Sequence, residues 1–198
     1  MKPIVWSEIN DKPANFTDLE SGAYVLKVVD AEEKVAQTSQ WDKVPYDSIT
    51  IRFDVAEGAE TDFFARNNKP DFTHEHEFKV VDDAAYNSLG SDDKWKYTAW
   101  ADKFLPSIKA SNPNLNGISD VRQLVGCRFG AVVRHRQYTK KNGDDGNTLE
   151  IQAFYAAQDI REGNFSPAKD IDKREKAAGA PAAASYAPAA YNDADLPF

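Results

Sequence analysis

Along much of the chain before residue 166, apolar and polar positions alternate with a period of two. In Ser48–Val55, Ile49, Ile51, Phe53 and Val55 fall on one side, and Ser48, Thr50, Arg52 and Asp54 on the other. That alternation predicts a strand with one buried face. The run AYVLKVVD (23–30) is more continuously apolar and predicts a strand covered on both faces or nearly so. Glu57-Gly58 marks a turn, and TDFFAR (61–66) is expected to return as a hairpin partner, with Phe63 and Phe64 on opposite faces. CRFGAVVRHRQY (127–138) predicts the next long strand, sending Cys127, Phe129, Ala131 and Val133 to the core. The stretch Asn142–Asn147 is a hairpin turn rich in residues that tolerate positive φ, and TLEIQAFYAAQ (148–158) is the returning strand.

The period lengthens between the third and fourth strands. Ala84–Leu89 reads as a short helix. Asp92–Ala110 reads as a longer one, with Trp100, Phe104 and Ile108 four apart. Asp92 and Asp93 suit the positive end of its dipole, and Pro106 is expected to kink or break it. Ser119–Leu124 adds a helical turn before the fourth strand. The predicted fold is therefore mainly β: a five-stranded OB-fold barrel with a helical insertion between strands 3 and 4.

Composition changes near residue 166, after which Ala, Pro and charged residues dominate. Too little bulky apolar surface remains to offset the entropy of ordering such a segment. The expected organisation is a domain over 1–166, a flexible Ala/Pro-rich linker over 167–192 with a short helical turn near 172–178, and a tip over 193–198. The single Cys127 excludes an internal disulfide, and MKPIVWSEIND (1–11) has no apolar run suited to a signal peptide or span. Those features lead to an expected cytoplasmic location without a membrane partner.

Charge sharpens the functional reading. The formal net charge is −8 over 198 residues, so the protein as a whole does not attract nucleic acid. Yet Arg122, Arg128, Arg134, Arg136, Lys140 and Lys141 fall in one stretch that holds no Asp or Glu. On a strand, Arg128, Arg134, Arg136 and Tyr138 share the face away from the core. A basic stripe with an aromatic platform is the combination that holds single strands, although Glu150 on the return strand offers the stripe a structural partner. Trp41 and Tyr46, with Lys43 and Arg52 nearby, form a second stacking and phosphate-binding candidate in and beside the loop between the first two strands. His74-Glu75-His76-Glu77 lacks the spacing of a zinc site, and Asp82, Asp83, Asp92 and Asp93 suit turns and helix starts better than a magnesium site. No phosphate loop or activated nucleophile appears, so neither a cofactor nor a catalytic residue is expected.

The final residues DADLPF resemble the C-terminal peptide of bacterial single-stranded DNA-binding proteins: an acidic stretch, then a hydrophobic residue, Pro and a terminal Phe. The resemblance maps onto Asp193, Asp195, Leu196, Pro197 and Phe198, while Asn192 and Ala194 stand where acids are common. The body, through GAYVLKVVDAEE, LVGCRFGAVVRHRQY, the glycine-rich turn and IREGNF, is similar to proteins of this type encoded by phages and mobile elements of Gram-positive bacteria. The resemblance implies an OB-fold that coats single-stranded DNA without strong sequence preference. It also implies replication, recombination or repair partners recruited by the tip, and is compatible with a homo-oligomer. A terminal Phe suits a pocket while its carboxylate meets an Arg or Lys. A protein-interaction adaptor and a metal-dependent nuclease remain the alternative readings.

Overall fold

A computed structural model describes residues 18–38 and 44–174. Five strands form one sheet in the order β3-β2-β1-β4-β5, each antiparallel to its neighbour. They are β1 (Gly22–Gln37), β2 (Tyr46–Val55), β3 (Glu75–Val80), β4 (Arg128–Thr139) and β5 (Asp145–Tyr155). The alternation in β2 and β4 does what it predicts. Ile49, Ile51, Phe53 and Val55, with Phe129, Ala131 and Val133, enter a single core. Phe78, Phe104 and Phe129 are fully buried there, and Trp100 and Phe154 pack around them in edge-on and tilted contacts. Such ring pairs add about 0.5–1.5 kcal/mol each beyond the area they bury.

The sheet curls but is not closed. No ladder joins β3 to β5 among the described residues. Instead the two edges meet through side chains: the Phe154 ring lies 5.3 Å from His76 and 5.6 Å from Phe78. The expected five-stranded closed barrel is thus an open sheet, and it has a sixth strand. β1 begins opposite Val133, so the remainder of β4 lacks a neighbour on that side. There β6 (Ile171–Lys173) pairs in parallel with Arg136–Tyr138. At the junction the His135 N–H donates to Ser21 Oγ at 3.1 Å and Asp170 Oδ1 at 2.9 Å. The Ser21 hydroxyl and that N–H hold the Asp170 carboxyl below its usual range.

Helical segments fill the interval between β3 and β4, as the period predicts. α2 (Asp83–Ser88) starts where Asp82 accepts the Ala85 N–H at 2.7 Å. α3 (Ser91–Thr98) and α4 (Leu105–Ser111) are joined by a wide π turn over Ala99–Phe104. Pro106 lies in the first turn of α4, and the π turn just before it spares the backbone the clash that proline imposes inside a regular helix. A 3-10 turn over Val121–Leu124 is capped reciprocally by Asp120 and Gln123.

Three local expectations are corrected. TDFFAR is not a strand: α1 (Phe63–Arg66) is a single helical turn with both Phe63 and Phe64 buried. The cause is Asp54, 3% exposed, whose carboxylate accepts the N–H groups of Val55, Phe64 and Ala65 at 2.8–3.1 Å. Those bonds occupy the amides a strand would have used, and EHEFKV becomes the third strand instead. Second, the return strand stops at Tyr155, and α5 (Ala157–Glu162) follows. Third, the body does not stop at residue 166. Ser166 N–H donates to the Tyr155 hydroxyl and Lys169 N–H to Gln152, which carries the chain to β6; residues 172 and 173 are strand, and residues 175–178 of the helical turn expected over 172–178 lie outside the described residues. No helix among the described residues is long and apolar enough to cross a membrane.

Candidate functional site

The nominated cations and rings divide between two ends of the sheet. Arg52 pairs with Asp30 and Tyr46 with Gln37, along the second half of β1. Arg134 to Lys141 extend past the first residue of β1, because Gly22 lies opposite Val133. At about 3.3 Å per strand residue, the two groups are separated by roughly 25 Å along β1. They do not form one stripe. Trp41 and Lys43, and the tip residues Asp193, Asp195, Leu196, Pro197 and Phe198, lie outside the described residues.

The end carrying Arg52 is acidic. Register places Asp30 and Glu75 on either side of Arg52, and Glu32 and Glu77 on either side of Thr50. A cleft of about 400 Å³ here is lined by Glu32, Lys34, Tyr46, Arg52, Glu75 and Glu77. Arg52 binds Asp30 at 2.8 Å and Asp71 at 3.2 Å. Tyr46 is 9% exposed, and its ring is covered by Lys79 Nζ at 4.5 Å. A phosphate entering this cleft meets carboxylates first.

The arginines of β4 are also engaged. Arg128 meets Glu57 at 3.0 Å, and Arg161 of α5 grips the same carboxylate through Nε at 2.9 Å and Nη2 at 2.6 Å. The Arg161 hydrogen bond, with Arg128 beside it, holds Glu57 below the usual carboxylate range. Arg134 donates to Glu150 at 2.7–2.8 Å, and Arg136 approaches the same carboxylate at 3.5 Å. Arg134 and Glu150 are about three-quarters covered. The Tyr138 ring lies over Gly146, where a Cβ would come within 2.6 Å of it, and the Arg136 guanidinium stands 5.8 Å from its centroid. Tyr138 is thus packed as a cross-strand partner.

Three exposed cations lie farther along the hairpin and on the neighbouring β6. Lys140 and Lys141 are exposed, at a turn set by Gly143 at φ 88°. Lys173 of β6 is exposed and in register with Tyr138. Among the described residues none of these three lysines forms an ion pair with a carboxylate. Asp144, the acid nearest Lys141 in sequence, accepts from Asn142 at 2.8 Å, and Asp145 and Asp172 are held by Arg174.

Beside this hairpin lies a cavity of about 160 Å³, bounded by Tyr138, Asn147 and Thr148 on one side and by Lys69 and Phe72 on the other. The Lys69 side chain is 5% exposed and meets Asp18 at 3.1 Å, while Phe72 is 73% exposed. Sequence reasoning passed over Phe72, Lys69 and Lys173. The one available signal was a bulky ring isolated in the polar turn KPDFTH (69–74).

The His-Glu run is spread through the fold. His74 stacks on Phe64 at 4.6 Å, and burial pushes its imidazole down. His76 packs against Phe78 and Phe154, and burial pushes it down to about 4. Among the described residues no three His, Cys, Asp or Glu side chains come together to hold a metal ion. Asp82 caps α2 and Asp93 pairs with Lys96 at 3.0 Å. No protein-family model matches the chain, and no curated protein matches it.

Proposed function

We propose that this chain is a non-catalytic, non-sequence-specific single-stranded DNA-binding protein that engages the strand at the free end of its β4–β5 hairpin. The observation that carries the reading is the group of exposed cations Lys140, Lys141 and Lys173, which have no carboxylate partner among the described residues of an otherwise acidic protein. Phosphates approaching there encounter charge that the fold has not already neutralised. The strand order, with helices between β3 and β4, supports an OB-type body whose β3–β5 seam is joined by rings rather than a ladder. The acidic-hydrophobic tip, with Asp193, Asp195, Leu196, Pro197 and Phe198, serves in this reading to recruit replication, recombination or repair enzymes of a bacterial host.

Titration of fluorescent oligo(dT) at increasing salt tests the proposal. Binding is expected at low salt, with log K falling against log salt by about 0.7 per neutralised phosphate. Absence of binding at low salt overturns it.

A further inference from the structure

We infer that the cavity between the β4–β5 hairpin and the Lys69–Phe72 segment is a pocket for one nucleobase of the bound strand, with Phe72 as its stacking platform. The inference rests on the single-stranded DNA reading and names a subsite within it. Size is the first ground. At about 160 Å³ the cavity is smaller than the roughly 300–1,000 Å³ clefts that take drug-sized ligands, and suits a single ring system.

Chemistry is the second ground. A base offers a flat π face and an edge of donors and acceptors. Phe72 supplies an apolar ring that is 73% exposed, although such a ring stands in water only at a cost. The rings nominated from sequence do not compete for the role among the described residues, because Tyr46 is buried under Lys79 and Tyr138 is packed on Gly146. Asn147 shares its amide nitrogen with His135 Nδ1 at 3.0 Å, which leaves its Oδ1 to accept from a base edge. Thr148 adds a hydroxyl to the same wall.

Electrostatics is the third ground. Lys140 and Lys141 follow Tyr138 along the hairpin beside the cavity, whereas the Lys69 ammonium in its wall is already held by Asp18. A base held on Phe72 therefore leaves its flanking phosphates beside cations. Stacking of this kind tolerates every base, in keeping with binding that lacks sequence preference.

The test compares the full chain with Phe72→Ala and Phe72→Trp on two probes of equal length: oligo(dT), and an abasic oligomer that keeps the sugar-phosphate backbone. Because Phe72 is exposed, both variants are expected to fold, and circular dichroism checks this. Phe72→Ala is expected to weaken oligo(dT) binding about tenfold with an unchanged salt slope. It should leave abasic binding unchanged, and Phe72→Trp should restore oligo(dT) binding. Oligo(dT) binding that is insensitive to Phe72→Ala, or an equal loss on both probes, overturns the pocket while leaving the DNA reading intact. Failure of the unmodified chain to bind either probe overturns the DNA reading itself, and the pocket with it.

Discussion

The two ends of the sheet carry similar residues but differ in what those residues can do. At one end Arg52 is clasped by Asp30 and Asp71 in a cleft lined by Glu32, Glu75 and Glu77. At the other end Lys140, Lys141 and Lys173 are exposed and form no ion pair with a carboxylate among the described residues, while Asp145 and Asp172 beside them are held by Arg174. A cation count alone does not separate them. What separates them is neutralisation: an arginine held between two carboxylates must give up those pairs before it can grip a phosphate, whereas an exposed lysine gives up only water. Between the two ends, the outer face of β4 is closed off by α5, so the strand has no continuous basic track.

The largest expected effect comes from reversing the free end. Lys140→Glu, Lys141→Glu and Lys173→Glu combined should weaken oligo(dT) binding by about 100-fold at low salt. They should also lower the salt slope by about 2, which fluorescence anisotropy reads directly. Equal sensitivity at Arg52 would erase the distinction between the two ends.

Next in size is Gly130→Ala. A Cβ there would come within 2.6 Å of both the Ala156 carbonyl oxygen and the Ile160 side chain. Backbone stands in the way, so α5 must shift, at a cost of about 2–3 kcal/mol in urea unfolding. Retained stability would show that α5 is not held on the sheet as described.

The half-buried histidine of β3 gives a pH dependence. His76 is held neutral down to about pH 4, whereas an unfolded histidine takes up its proton near 6.5. The unfolded state therefore binds more protons between these values. Stability present above pH 6.5 is lost as pH falls toward 4, on the order of 3 kcal/mol. His76→Gln should flatten that part of the profile relative to the unmodified chain. An unchanged slope would remove His76 as its source.

The smallest effect belongs to the acidic end. Glu32→Gln with Glu75→Gln should raise oligo(dT) affinity by less than about threefold, through reduced long-range repulsion that vanishes at high salt. A large gain would mean that the strand reaches this cleft after all.

The strands with one buried face were legible because burial imposes a period of two, and Ile49 to Val55 and Phe129 to Val133 obey it. The helical interval was legible for the same kind of reason. The turn at Phe63–Phe64 was not, because Asp54, distant in sequence, captures its amides. Residues 169–173 were also missed. Their composition gives no apolar pattern, and they are ordered by an edge of β4 that β1 is too short to cover.

Local period and turn chemistry were enough to locate the strands β1, β2, β4 and most of β5, the helical interval before β4, and the apolar side chains of β2 and β4 that face the core. The sequence also placed the cations on β4. Which of them remain available depends on how the strands and α5 pack together. Strand register and the packing of α5 brought Glu150 to Arg134 and Arg136, Glu57 to Arg128, and Asp30 with Asp71 to Arg52. An ion pair depends on distance in space, and no run of residues free of acids reports what the neighbouring strand will bring against it.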